Sequence, residues 1–126
     1  MKILVLGASG MLGNAVGKYF LNKYGEENVY LTFREDKFSF VKNWINFNAV
    51  NVYSTIVPEY FPDCDVIINC IGIIKPFMDD IVAAIKINSL FPHYLSEYCC
   101  VKNIKLFHIT TDCVFSGKEG FYSEDS

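Results

Sequence analysis

An α/β domain with a parallel sheet is the fold class this sequence predicts, on three observations. Short, largely apolar runs at Ile3–Leu6, Val29–Phe33 and residues 65–70 each end in a glycine-bearing or charged turn, the pattern of strands covered on both faces. Segments in which apolar residues recur at helical spacing follow the first and third of these runs. The first run opens into Gly7-Ala8-Ser9-Gly10-Met11-Leu12-Gly13, with glycines at relative positions one, four and seven. Strands alternating with helices imply a sheet with helices on both faces, and such sheets bind ligands at the carboxyl ends of their strands.

Each element has its own justification. Ile3–Leu6 predicts a central strand. Met11, Leu12, Ala15, Val16, Tyr19 and Phe20 recur at helical spacing while Asn14, Lys18 and Asn22 take the opposite face, so a helix is expected over Met11–Tyr24, stopped by Gly25. Val29–Phe33, rich in β-branched and aromatic residues, predicts the second strand and runs into Arg34-Glu35-Asp36. The pattern then weakens: residues 44–47 are a candidate third strand, and residues 54–60 a short helix interrupted by Pro58. Residues 65–70 predict a further buried strand that opens at Ile71-Gly72. A long helix is expected over residues 79–100, with Asp79 or Asp80 as its N-cap and Ile81, Val82, Ile85, Leu95 and Tyr98 on its inner face. Residues 104–110 predict the last strand, and residues 116–126 a polar tail. No repeat or linker divides residues 1–126, which read as one domain.

Composition narrows the function. Hydrophobic residues make up 52% and charged residues 20% of the chain, ample for a buried core and too apolar for a disordered segment. Lys and Arg number 11 against 14 Asp and Glu, a net charge of −3. The scattered basic residues offer no electrostatic footprint for a phosphate backbone, which argues against a nucleic acid partner. No run approaches the roughly 18 apolar residues of a membrane-crossing helix, which argues against a membrane protein. The opening apolar run breaks at Gly7 with no cleavage box behind it, unlike a signal peptide. Cys64, Cys70, Cys99, Cys100 and Cys113 form neither paired Cys-x-x-Cys spacing nor a dense disulfide framework, so reduced thiols in a cytoplasmic setting, and no metal site, are expected.

The glycine turn carries the most specific chemistry. A strand, a tight turn and a helix start in succession present bare main-chain N–H groups and a helix dipole to an anion, with space for a pyrophosphate where side chains are missing. Gly7, Ser9, Gly10, Met11, Leu12 and Gly13 are therefore the expected dinucleotide-binding turn of a Rossmann-type, doubly wound parallel sheet; a plain structural turn is the competing reading. Arg34 stands 21 residues after Gly13, at the end of the second strand. An acidic residue there would accept from a ribose hydroxyl, whereas a guanidinium suits a 2′-phosphate, which favours NADP. Glu35 and Asp36 follow at once, so NAD stays open, and a solvated charge cluster is the bland alternative. Asn48, Cys70, Ile71 and Gly72, at other strand ends, complete the expected cofactor contacts. Lys75 either reaches toward a phosphate or sits in water.

The turn Gly7 to Gly13, the segment Asp65-Val66-Ile67-Ile68-Asn69-Cys70-Ile71-Gly72, Asn88, and Thr110-Thr111-Asp112-Cys113-Val114-Phe115-Ser116-Gly117 resemble the extended short-chain dehydrogenase/reductases. Within them the chain is similar, over essentially its whole length, to the dTDP-4-dehydrorhamnose reductase type. The resemblance implies reduction of the 4-keto group of a nucleotide-linked 6-deoxy sugar by NADPH or NADH. It also implies catalytic roles for Thr111, matching a strand-end Ser/Thr that holds the developing alkoxide, and for Asn88, matching an asparagine of the preceding helix. The family's proton-donating Tyr-x-x-x-Lys pair has no counterpart further along: Tyr122 is followed four residues later by Ser126. The chain thus resembles the amino-terminal, cofactor-binding part of a longer enzyme, its sheet truncated at the C-terminus. Such a sheet bares apolar edges, so this part is expected to be poorly soluble or to associate, a homodimer being one form. A non-catalytic NADP-binding regulatory subunit and a nucleotide-sugar epimerase or dehydratase are the rival readings.

Several residues have competing roles. Pro92, four residues after Asn88, has no N–H, so the Asn88 carbonyl is expected to turn to another partner, water serving a proton relay being one. Thr111 also reads as a strand-end cap of a turn, and Asp112 as a residue ordering that loop. His93 and His108 lack metal-ligand spacing and read as core or edge histidines. Cys99-Cys100, near a helix end, reads as packing rather than redox chemistry.

Overall fold

The computed structural model describes residues 1–35, 41–52, 60–74 and 79–126. Five strands, β1 (Ile3–Leu6), β2 (Val29–Phe33), β3 (Trp44–Asn46), β4 (Val66–Asn69) and β5 (Lys105–His108), form one sheet in the order β3-β2-β1-β4-β5. Every pairing is parallel: Leu4 lies opposite Tyr30 on one side and Ile67 on the other, and Asn69 lies opposite His108. The chain steps outward from β1 to β3, then returns to start again at β4. Neighbouring connections therefore leave β1 and β4 toward opposite faces, opening a crevice at their carboxyl ends. This is the Rossmann-type sheet that the alternation of elements predicts.

All four residues of β1 are buried, as a central strand requires. Alternate residues feed two cores. Ile3 and Val5 join Val29, Leu31, Phe33 and Ile68 beneath the helix α1 (Met11–Tyr24). Leu4 and Leu6 join Ile67, Ile87, Phe91, Leu95 and Cys99 on the other face. That second face is covered by a continuous helical stretch: α2 (Ile81–Ile85), a π turn over Lys86–Leu90, and α3 (Phe91–Lys102). Asp80 is the N-cap, its Oδ1 accepting from the N–H groups of Val82 and Ala83 at 2.9 and 3.1 Å. Asn103, in the left-handed region at φ 56°, ends α3.

Two helix faces differ from expectation. Ile81, Val82 and Ile85 are 68%, 62% and 52% exposed, while Ala84, Ile87, Phe91, Leu95 and Cys99 form the buried seam, with Tyr98 partly buried beside it. The longer α3 half sets that seam against Leu4, Leu6 and Ile67, and the β-branched residues of the five-residue α2 fall off it. On α1, Met11 is 93% exposed, and Leu12, Ala15 and Tyr19 are also exposed. The helix lies so close to the sheet that Gly13 and Gly17 make the contact, flanked by Val16, Phe20, Leu21 and Tyr24. A Cβ on Gly17 would stand 2.9 Å from Leu31 Cδ2.

The π turn precedes Pro92. The N–H of Phe91 reaches back to the Lys86 carbonyl, so the chain has widened just ahead of the residue that has no N–H to give. Phe107, on the α1 side of β5, and Ile109, just after the strand, are about half exposed, and the Lys105 ammonium lies over the Phe107 ring. The helix expected over residues 54–60 falls, apart from Tyr60, outside the described residues, as do Asp36 and Lys75. Among the described residues no helix is long and apolar enough to cross a membrane.

Candidate dinucleotide cleft

The turn after β1 is shaped by main-chain contact. Gly7 has φ +80°, and a Cβ there would stand 3.0 Å from Ile71 Cγ1 and 3.2 Å from the Cys70 carbonyl. A Cβ on Gly13 would come within 2.1 Å of the Gly7 carbonyl oxygen. The first turn of α1 therefore rests directly on the end of β1, an approach that only a glycine permits. Gly10 is the N-cap of α1; it brings no side-chain cap, and no carboxylate stands in the first turn. The N-terminal N–H groups and the positive end of the dipole are thus left to an outside anion.

Thr32 of β2, fully buried, fixes the turn from the side. Its Oγ1 accepts the Gly7 N–H and its carbonyl accepts the Ala8 N–H, both at 3.0 Å. The sequence gives little signal of this, because a threonine in a β-branched run reads as strand propensity alone.

A cleft of about 580 Å³ opens over the carboxyl ends of β1, β2 and β4. Gly7, Ser9, Gly10, Met11, Leu12, Arg34, Asn48, Cys70, Ile71 and Gly72 line it. Gly13, the remaining member of the expected set, lies buried beneath Gly7 and supports the turn without lining it. Arg34 is exposed at the rim. Asn48 is half-buried, its Oδ1 accepting the Val50 N–H at 3.1 Å to start the short 3-10 turn Ala49–Asn51. Thr32, Phe47, Ala49, Ile73, Ile74 and Ile87 complete the lining; apart from Thr32 they are apolar and carry no motif, which is why sequence alone did not select them. Burial pushes the Cys70 thiol up, so it offers the cleft a neutral, apolar surface.

Asn88 and Thr111 do not line the cleft. Asn88 stands behind its wall: Oδ1 accepts the Ile73 N–H and Nδ2 donates to the Ile73 carbonyl, each at 2.8 Å. Both ends of that amide hold one residue of the loop after β4. Thr111 follows β5, and its Oγ1 accepts the Cys113 N–H at 3.2 Å, capping the 3-10 turn Asp112–Val114. The turn-capping bond weighed for this residue is therefore present.

Two Tyr-x-x-x-Lys spacings occur, at Tyr19/Lys23 and Tyr98/Lys102. The Lys23 ammonium meets the Tyr19 hydroxyl at 3.3 Å, but these residues belong to α1 and α3 and none lines the cleft. His108 lies exposed on β5, and His93 exposed on α3. Cys99 is buried and Cys100 exposed, so the vicinal pair faces two environments. Among the described residues no cluster of His, Cys, Asp or Glu is placed to hold a metal ion.

Solved structures share this fold. MoeE5 in complex with UDP-glucose and NAD superposes with a TM-score of 0.79 at 18% identity, covering 100% of this chain and 42% of that one. The ADP-L-glycero-D-manno-heptose-6-epimerase of Helicobacter pylori gives 0.76 at 14% identity, covering 98% and 43%. The L-threonine dehydrogenase of Clostridium difficile gives 0.67 at 23% identity, covering 85% and 35%. The chain thus spans less than half the length of the solved structures it matches. No curated protein matches it. One family does, described as the RmlD substrate binding domain, over residues 1–126, and the chain belongs to that family.

Proposed function

We propose that this chain is the NADP(H)-binding part of a reductase acting on the 4-keto group of a nucleotide-linked 6-deoxy sugar. The observation that carries the reading is the seat of Gly13 on Gly7 beneath the uncapped start of α1. Main-chain N–H groups left bare at that helix start, and held at the end of β1 by two residues without side chains, fit a pyrophosphate. Gly7, Ser9, Gly10, Met11 and Leu12 would hold it, Arg34 would take the 2′-phosphate of the adenosine ribose, and Asn48, Cys70, Ile71 and Gly72 would line the remainder. When bound, the nicotinamide supplies hydride.

Among this chain's own residues, Asn88 would keep the wall at Ile73 in place, and Thr111 would hold the carbonyl oxygen where charge develops. Family membership supports the nucleotide-linked sugar. The half-exposed Phe107 on β5 supports self-association, and the thiols support a cytoplasmic setting.

Calorimetric titration of the full chain with NADPH and NADH tests the cofactor reading. Saturable binding is expected, tighter for NADPH, with Arg34→Ala erasing about tenfold of that preference. Absence of heat and of competition on folded protein overturns the reading; an unchanged NADPH/NADH ratio in Arg34→Ala removes the role of Arg34. Net NADPH consumption with a 4-keto sugar nucleotide separates a reductase from an epimerase, which consumes none overall.

A further inference from the structure

Asn69, at the carboxyl end of β4, is fully buried, and its amide is engaged at both ends. Oδ1 accepts the N–H of Ile71 at 3.1 Å, and Nδ2 lies 3.1 Å from Nδ1 of His108, the facing residue on β5. Chemistry fixes this orientation. A main-chain N–H only donates, so Oδ1 must face Ile71, and the donor Nδ2 is left for His108. Nδ1 of His108 must then accept, which requires a neutral imidazole carrying its proton on Nε2. An imidazolium bears a proton on Nδ1 as well and sets two donors against each other. Turning the amide over satisfies the imidazolium but places Nδ2 against the Ile71 N–H. One of the two bonds is lost either way.

Ile71 lines the cleft, and Asn88 holds the next-but-one residue of the same wall. The Asn69 bond is thus the upstream of two side-chain anchors on that wall. His108 is exposed, so solvent protons reach it. The titratable and charged groups on the elements packed against this face are few. On β4 the neighbours are Asn69 and apolar residues. On α3 the sheet-facing residues are Phe91, Leu95 and Cys99, with Tyr94 and Tyr98 partly buried beside them. Burial pushes the Cys99 thiol up to about 11 and raises the Tyr98 phenol. His93 and Glu97 are exposed on α3, and Lys105 lies on the opposite face of β5, over Phe107.

We infer that Asn69 and His108 form a pH-sensitive positioning pair, fixing the cleft wall at Ile71 while His108 is neutral and loosening it when His108 is protonated. The consequence for cofactor affinity rests on the dinucleotide reading of the cleft; the coupling itself does not. Two-dimensional amide NMR of the full chain, taken from about pH 8 to about pH 5.5 without cofactor, is expected to move the Ile71 amide with the midpoint of the His108 imidazole. Calorimetry with NADPH over the same range is expected to show affinity about three- to tenfold weaker at the acid end, the worth of one neutral hydrogen bond. His108→Asn, whose Oδ1 replaces Nδ1 as an acceptor at every pH, flattens both responses, and His93→Asn leaves them in place. An Ile71 amide indifferent to the His108 titration, or a pH response that survives in His108→Asn, overturns the proposal. If NADPH binds at no pH while the Ile71 amide still follows His108, the cofactor reading falls and the pair stands.

Discussion

The two walls of the cleft are held by different chemistry. On the β1–β2 side, main chain meets main chain where Gly13 sits on Gly7, and Thr32 ties the turn down through its carbonyl and, with one side-chain bond, its hydroxyl. On the β4–β5 side, amide side chains do the holding, Asn69 on Ile71 and Asn88 on Ile73. A main-chain approach leaves no room for any side chain, so that wall is all-or-none. A side-chain anchor can be removed for the worth of a hydrogen bond or two, so the other wall is adjustable. The rigid wall is where a diphosphate would need fixed N–H groups, and the adjustable wall is where protonation can act.

The sharpest break of this comparison is Gly13→Val. A Cβ at 2.1 Å from the Gly7 carbonyl forces α1 away from β1, and overpacking costs about 1–3 kcal/mol or more. Loss of NADPH binding is expected, together with a fall in Tm of roughly 3–6 °C for each kcal/mol in a domain of this size. A melt followed by circular dichroism and a calorimetric titration check both. A valine accepted with full stability and affinity would show that the seam is not tight, and the contrast between the walls would be gone.

Asn69→Leu comes next. It leaves the Ile71 N–H, in a part-buried bond, without its side-chain acceptor, a loss of about 1 kcal/mol or somewhat more. Urea denaturation should register that loss. Asn88→Leu should cost less, because its two bonds to Ile73 are exposed and water can replace them. If the two variants cost the same, burial is not what separates the anchors.

The contrast between the walls also explains which parts were legible in the sequence. Glycines at positions 7 and 13 carry their reason in their identity, since the positive φ of one and the close approach of the other exclude a side chain, and with Gly10 they led directly to a cleft whose lining includes Ser9, Met11 and Leu12. The parallel sheet, with Ile3–Leu6 as a central strand, followed from the alternation of apolar runs and helices. Asn69 gave no such signal, because an asparagine at a strand end reads as the start of a loop; its partners, Ile71 and His108, are set by register and not by spacing. Thr32 was hidden in the same way within a β-prone run. Asn88 was singled out by resemblance, and its bonds to Ile73 depend on a loop path that periodicity does not specify.

The smallest effect concerns the helix face that periodicity misjudged. Reading Ile81, Val82 and Ile85 as the inner stripe takes the largest apolar residues to be the buried ones, whereas the seam runs through Ala84 and Ile87 into Phe91, Leu95 and Cys99. The hydrophobic effect rewards area removed from water, and Ile85 at 52% exposure keeps about half of its own in solvent. Ile85→Gln should therefore change the free energy of unfolding by less than about 0.5 kcal/mol, as an ordinary surface substitution does. Urea denaturation measures it on the scale used for Asn69→Leu. A loss several times larger would mean that Ile85 is covered in solution, and the stripe from Ile81 to Ile85 would then belong to a contact that α2 makes with another surface.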